Sequence, residues 1–406
     1  MTIQLPITGR PIALQSAPNV RAWQRDTFER GLLPVIGITG GRGKSTVARM
    51  VDAILQQSHL RTAIWTNLGV ELRGRRQRGE ISGWSLALSR LADTTIDLAI
   101  QELHWSTVNA VGLPPASYPV LAITNGSHGT PEAHRGSLRV AAAVHMHGLL
   151  VVSGDDHALV DAAHAAGSML VITSLAKDAP LLRQHLAAGG SAVWIVDDEI
   201  RCGEEDDFQT ICQTTDLRCG YGGTVQFELA NALTAIAIAC AIGIDARTVT
   251  EAITRFETSA DILPGSFNVY EVETWRVVVD GLVPSWHLRT LLRSVNPGSR
   301  RRQITVVGDL DTIPGHDVRE VGRLLGRHAG AIVLHSNKDY RRVDAFRRGI
   351  AANDYPPVMI HLPTERRALN RALKTVRPDD VVLILTNADP GPATRAVTRL
   401  LVPPAI

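Results

Sequence analysis

The residues Gly37-Ile38-Thr39-Gly40-Gly41-Arg42-Gly43-Lys44-Ser45-Thr46 have the types and order needed to hold a nucleotide's phosphates. Glycines let backbone N–H groups converge on phosphate oxygens, and a helix starting just behind them presents its positive end to the same anion. In such a loop Lys44 would reach the β/γ-phosphates and Ser45 would offer its hydroxyl to Mg2+. The spacing departs from the standard phosphate loop: four intervening residues lead back from Gly43 to Ile38, and Gly37 lies one further. Lysine is scarce elsewhere. Only Lys44, Lys177, Lys338 and Lys374 occur among 42 basic residues, the rest being arginine, which coding bias alone would explain.

The elements that must position this loop are legible from hydrophobic pattern. Short β-branched runs alternate with helical stretches, the mark of an α/β protein with a mostly parallel sheet. Pro34–Thr39 reads as a strand and Ser45–Ser58 as the helix behind the loop. Further strands are expected at Thr62–Trp65, Asp97–Gln101, Val120–Thr124, Leu149–Ser153, Met169–Thr173 and Val193–Val196, and a buried helix at Glu228–Ile242. A second β/α series follows, with strands at Arg276–Val279, Ile304–Val307, Ala331–Leu334, Val358–His361 and Val381–Leu385, and helices at Val318–Arg327 and Glu365–Thr375. The Pro264-Gly265-Ser266 segment after Ala260 carries boundary punctuation. The chain is therefore expected to comprise an N-terminal extension (1–30), a nucleotide-binding domain (31–262) and a smaller Rossmann-like α/β domain (263–406).

Composition narrows the function class. The chain has 406 residues, 45% of them apolar and 20% charged, which suits a core-forming globular protein of more than one domain. A net charge of only +2 argues against a nucleic-acid binder. Cys202, Cys212, Cys219 and Cys240 form no C-x-x-C pair, so neither zinc nor a redox motif is expected. No basic region followed by an apolar run opens the sequence, and no stretch is apolar enough to span a membrane, so a cytoplasmic protein is the expectation.

The loop order T-G-x-x-G-K-[ST]-[ST] resembles that of the Mur ligase superfamily of ATP-dependent acid–amino acid ligases, and Gly40-Gly41-Arg42-Gly43-Lys44-Ser45-Thr46 looks most like the capsule poly-γ-glutamate synthase. Later segments are more similar to the Mur-like half of cyanophycin synthetase. They are Gly83-Trp84-Ser85 before a strand ending in Glu102, then Leu121–Asn125, Val151–Asp156, Asn231-Ala232-Leu233, Leu263–Val269, Gly308–Asp311 and Asp317–Arg323. The fold implied is a P-loop Mur ligase central domain followed by a Rossmann-like C-terminal domain, without the UDP-substrate domain that precedes the loop in peptidoglycan ligases.

The resemblance also implies site residues. Gly40, Gly41, Arg42, Gly43, Lys44, Ser45 and Thr46 would bind the nucleotide together with Asn125, Asn231 and Asp309. Glu102 ends an apolar strand and matches the family's Mg2+-binding glutamate; a solvated strand-end acid is the alternative. With Ser45 and His128 it would form the metal set, although His128 lacks the preceding aspartate of the family pattern and also fits a plain loop residue. Lys44, Glu102, His128 and Asp280 would carry catalysis. His104 either shares the side of Glu102 or is an ordinary surface histidine, and Trp65, Trp84 and Trp105 are expected in the core.

Several departures bear on activity. The central-domain lysine that helps hold a second Mg2+ in many relatives has no counterpart; Leu138 or Arg139 stands there. Phe227-Glu228 replaces the His-Asn before Asn231, Asp280–Ser285 keeps only the aspartate of its motif, and Leu310 replaces a nucleotide-directed arginine. Arg300-Arg301-Arg302 or Arg319 are the candidates to compensate. The basic run Arg73, Arg75, Arg76, Arg78 is either a solvated turn or an attractor for acidic substrates, and His145 with His147 lacks further ligands for a metal. The implied function is an ATP-dependent, amide-forming ligase acting through an acyl phosphate, using ATP and Mg2+ on amino acid and carboxylate substrates (a polymer or peptide included), as a homo-oligomer or with a partner subunit. The alternative is a catalytically degenerate, nucleotide-binding regulatory or structural relative; the loop spacing disfavours an unrelated NTPase or kinase.

Overall fold

The computed structural model describes residues 34–66, 69–76, 96–113, 118–126, 130–165, 167–272, 274–295, 302–387 and 389–401. The chain divides into two compact units, Met1–Glu257 and Thr258–Ile406. Both are mixed α/β with largely parallel sheets, as the alternation of apolar runs and amphipathic stretches leads one to expect.

In the first unit, strand β1 (Val35–Thr39) leads through the glycine loop into helix α1 (Lys44–Gln57). Then come β2 (Thr62–Thr66), β3 (Gly69–Leu72), β4 (Arg75–Arg76) and β5 (Leu98–Leu103), followed by α2 (Trp105–Val111) and β6 (Tyr118–Ile123). Helix α3 (Pro131–Ala143), β7 (Val144–Ser153), α4 (His157–Ala165), β8 (Met169–Ser174), α5 (Pro180–Ala187) and β9 (Ser191–Val196) continue the alternation. The unit closes with β10 (Glu199–Gly203), β11 (Phe208–Gln213), α6 (Gln226–Ala241) and α7 (Ala246–Arg255). Among the described residues the strands form one sheet ordered β11-β10-β9-β8-β7-β6-β1-β5-β2-β3-β4. Its central strands are parallel, and β1 lies between β5 and β6. The chain moves from β1 toward one edge, returns through β5, and crosses to β6 on the other side. That reversal puts the ends of β1, β5 and β6 at the switch point where open α/β sheets bind ligands.

β1 is buried along its whole length, which its unbroken apolar run required. Gly37 keeps the strand close to its neighbour, because a Cβ there would fall 2.3 Å from Leu121 Cδ2. Helix α6 is buried almost throughout, matching the small-apolar run from which it was expected. The four cysteines are buried and free, and among the described residues no helix is long and apolar enough to cross a membrane.

The second unit holds β12 (Asn268–Val272), β13 (Trp275–Gly281), α8 (Ser285–Val295), β14 (Gln303–Val307), α9 (Val318–His328), β15 (Ala331–His335), α10 (Tyr340–Ala351), β16 (Val358–Leu362), α11 (Glu365–Leu373), β17 (Val381–Thr386) and α12 (Gly391–Leu401). Its sheet is ordered β12-β13-β17-β14-β15-β16, antiparallel only at β12. The turn expected as a linker is fastened inside this unit: Gly265 N–H donates to Asn268 Oδ1 at 2.7 Å, and Asn268 Nδ2 donates to the Leu263 carbonyl at 3.0 Å.

His335 closes β15 with no solvent exposure, its Nδ1 2.9 Å from Ser336 Oγ and its Nε2 without a hydrogen-bond partner. Burial drives its pKa down to about 4, opposed by Asp309 and reinforced by His361. Because the folded value lies below the unfolded one of about 6.5, the unfolded chain binds more protons between those two values. Stability is therefore complete above about pH 6.5 and is lost as pH falls toward 4, by up to roughly 3 kcal/mol from this residue. Urea unfolding of wild type and His335→Asn at pH 7 and pH 4.5 measures it: the wild type should lose more stability than the variant, and an equal loss in both would rule the effect out.

Candidate active site around the glycine loop

β1 delivers the loop to the switch point. Beyond Thr39, Gly40 and Gly43 adopt φ values of 136° and 84°, which side chains disfavour. Space forbids them as well, since a Cβ would lie 2.1 Å from Thr124 Oγ1 at Gly40 and 2.1 Å from Asn231 Oδ1 at Gly43. Helix α1 starts directly after Gly43 with no side-chain cap and no acidic residue in its first turn. Its opening N–H groups and the positive end of its dipole are therefore left for an anion to meet.

Three loop and strand residues converge. Glu102 lies on β5, paired with Ile38 of β1, and its side chain is only 3% exposed. Ser45 Oγ donates to Glu102 Oε2 at 2.9 Å, and Lys44 Nζ stands 4.0 Å from Glu102 Oε1 while donating to the Gly40 carbonyl at 3.0 Å. Burial lowers the Lys44 pKa below the ordinary lysine value; the Glu102 carboxylate opposes that shift and Arg42 adds to it.

The end of β6 holds the loop from the other side. Asn125 Oδ1 accepts from Gly41 N–H at 3.0 Å and Arg42 N–H at 3.3 Å, while Asn125 Nδ2 donates to the Arg42 carbonyl at 2.9 Å. Thr124 Oγ1 donates to the Thr39 and Arg42 carbonyls. Gly126 N–H donates to Asp156 Oδ2 at 3.1 Å, tying this turn to the one after β7. Asn231 comes from α6 and donates to the buried Glu228 carboxylate at 3.2 Å. Glu228 is thus a partner for Asn231 that the reading of residue types missed, its only signal being the i, i+3 helical spacing.

His104, which the sequence left open between the side of Glu102 and an ordinary surface position, lies beside Glu102. Side chains two apart on an extended segment share a face, and His104 Nε2 stands 3.6 Å from Glu102 Oε1, its side chain 46% exposed. Burial lowers its pKa, Lys44 adds to that, and Glu102 opposes it. Among the described residues no group of three or more His, Cys, Asp and Glu side chains gathers to hold a metal. Ser45 Oγ and the Glu102 carboxylate do offer adjoining oxygen ligands, the chemistry a hard cation such as Mg2+ takes. The donor set therefore fits a nucleotide–Mg2+ complex on the loop. His128 lies outside the described residues, as do Trp84, Arg78, Arg300 and Arg301.

The departures in the sequence have structural explanations. Arg139 does not turn toward the loop; it donates to the Val108 carbonyl at 3.1 Å and to that of Asn109, closing the C-terminal end of α2. Leu138 is exposed. Trp105 packs flat enough on α3 that a Cβ on Gly136 would lie 2.3 Å from its ring, in keeping with a core role.

In the second unit, Asp280 is buried at the end of β13 and accepts from Gly281 N–H at 2.6 Å. Asp309 follows β14, its Oδ1 accepting from Asp311 N–H at 3.0 Å. Leu310 is wholly buried, so it serves the core where an arginine was expected to reach out. Arg342 lies over the same turn, donating to the Leu310 and Ile313 carbonyls at 2.9 and 2.8 Å. Arg302 is held by Asp380 at 3.1 Å, whereas Arg319 is exposed on α9.

No protein-family model matches the chain. The cyanophycin synthetase of Synechocystis sp. is 22% identical over 380 residues, covering 87% of this chain and 42% of that protein. The cyanophycin synthetase of Crocosphaera subtropica is 23% identical over 400 residues, covering 91% and 44%. The chain thus spans less than half the length of the curated relatives it matches. Among solved structures, the pseudomurein peptide ligase type C of Methanothermus fervidus superposes with a TM-score of 0.62 at 16% identity, over 91% of this chain and 79% of that one. The folylpolyglutamate synthase of Thermotoga maritima gives 0.59 at 14% identity, over 91% and 90%. The fold is that of the Mur ligase central and C-terminal domains.

Proposed function

We propose that this chain, whose fold is that of the Mur ligase central and C-terminal domains, is a member of that superfamily and an ATP-dependent ligase that joins an amine to a carboxylate in an amide bond, in the manner of cyanophycin synthetase. The observation that carries the reading is the convergence of Lys44, Ser45 and Glu102 at a glycine loop that has no room for a side chain at Gly40 or Gly43. ATP, when bound, supplies a phosphoryl group that activates the substrate carboxylate as an acyl phosphate, whose acyl carbon then takes the amine as phosphate leaves. The chain's part is positioning and charge neutralisation. Loop N–H groups and the α1 N-terminus would hold phosphate oxygens, Lys44 would balance their charge, and Ser45 with Glu102 would hold the cation. Asn125 keeps the loop in register through the Gly41 and Arg42 peptides. The buried Asn231–Glu228 pair backs Gly43, where only glycine leaves room.

The test has two arms. Thermal melting with ATP and Mg2+ should show stabilisation of the wild type, and ADP and phosphate release across a panel of amino acids with acidic acceptors should find a productive pair. Absence of ATP-dependent stabilisation would overturn nucleotide use. Stabilisation with silence across a broad panel would overturn the ligase and favour a nucleotide-binding subunit.

A further inference from the structure

The residues around Glu102 support a step beyond the binding of a nucleotide and its cation. His104 Nε2 lies 3.6 Å from Glu102 Oε1, too far for a hydrogen bond. Two ligands that each sit about 2.1 Å from one cation are separated by about 3.0 to 3.7 Å, for angles between them of about 90 to 120°. The His104–Glu102 separation therefore fits two neighbours in one coordination shell. Ser45 Oγ, 2.9 Å from the other carboxylate oxygen, adds a third donor atom beside Glu102. Lys44 is drawn toward the Gly40 carbonyl at 3.0 Å and stays 4.0 Å from the carboxylate. The His104 side chain is 46% exposed, so the position also opens to water and phosphate oxygens. Arg139, one of the two residues that the resemblance sets at the family's central lysine, is committed to the carbonyls of Val108 and Asn109.

We propose that His104 is a metal ligand, its Nε2 sharing one divalent cation with the Glu102 carboxylate and the Ser45 hydroxyl. An imidazole nitrogen in this shell turns an all-oxygen magnesium position into a mixed one that favours Mn2+ and Co2+ over Mg2+. The inference rests on reading the glycine loop as a nucleotide and metal site, but it concerns this chain's own residue and is measurable without turnover.

The experiment titrates the full chain with Co2+, read by visible absorption, and with Mn2+, read by electron paramagnetic resonance, with Mg2+ as competitor. Wild type is compared with His104→Ala, His104→Gln and Glu102→Gln. His104 makes no side-chain cap to α2, so its replacement removes no hydrogen bond from that helix, and unliganded melting curves verify folding. Both His104 variants should bind Co2+ and Mn2+ about tenfold or more weakly with an altered Co2+ spectrum, while Mg2+ affinity changes less than about threefold. Wild-type affinities and spectrum in His104→Ala would overturn the assignment. ATP-dependent stabilisation of the wild type, measured alongside, separates the two readings. If it persists while Co2+ binding ignores His104, only the ligand assignment falls; if it is absent, the reading of the loop falls, and the Co2+ spectrum still decides His104.

Discussion

Lys44→Met should abolish ATP-induced stabilisation and lower ATP-dependent product release by about a thousandfold or more, as loss of a charge-balancing group at transferring phosphate does. The structure gives a specific reason. The Lys44 ammonium, 11% exposed, lies beside the buried Glu102 carboxylate and spans from the Gly40 carbonyl toward it. Methionine keeps the length and packing of the side chain while removing the charge, so the unliganded melting temperature should change little compared with the loss of ATP response. Lys44→Arg should not rescue, because the guanidinium is planar and larger than an ammonium and meets a loop whose glycines already touch Thr124 and Asn231. Titration calorimetry with ATP separates binding from turnover. A Lys44→Met protein that binds ATP as wild type does would remove the loop from the mechanism.

How far the sequence carries follows from what each residue type advertises. The loop was legible because its requirement is steric: Gly40 and Gly43 occupy backbone regions and crevices that other residues cannot, and the pattern shows it without a structure. The parallel core strands were legible because both faces are buried, so they read as unbroken apolar runs. The antiparallel pair at one end of the first sheet was not. β10 and β11 pair antiparallel and carry Glu199, Arg201, Gln209 and Gln213, so polarity hid them. β7 begins at Val144 rather than Leu149, because Val144 already pairs with Tyr118; His145 and His147 lie in the register shift that precedes the pairing of Leu149 with Val120.

The candidate site divides along the same line. Lys44, Ser45 and Glu102 were found by type and order, and the structure brings them within hydrogen-bond or ion-pair range. His104 was left undecided because alternation gives a shared face but no distance. Arg139 and Leu310 looked like damage to a charged site; one closes a helix and the other fills the core, roles that need three-dimensional neighbours to recognise.

Gly349→Ala should destabilise the second unit by more than about 3 kcal/mol, although alanine in a helix interior normally gains up to about 1 kcal/mol over glycine. Helices α9 and α10 meet backbone to backbone. A Cβ on Gly349 would lie 2.0 Å from the Arg319 carbonyl oxygen and 2.8 Å from Arg323 N, and one on Gly322 would lie 2.3 Å from the Phe346 oxygen. Backbone atoms cannot yield by changing rotamer, so the helices must separate. That would also strain the Asn353 side chain, which donates to the Arg323 carbonyl at 3.1 Å across the same contact. It would further disturb Phe346, the largest wholly buried side chain of the pair. Gly315→Ala is the matched control, since a Cβ there meets only the end of Arg342 at 3.7 Å and should cost less than about 0.5 kcal/mol. Urea unfolding followed by far-ultraviolet circular dichroism measures both. A Gly349→Ala midpoint at or above wild type would mean that the helix pair can open without loss, and the tight glycine contact would not be what holds α9 and α10 together.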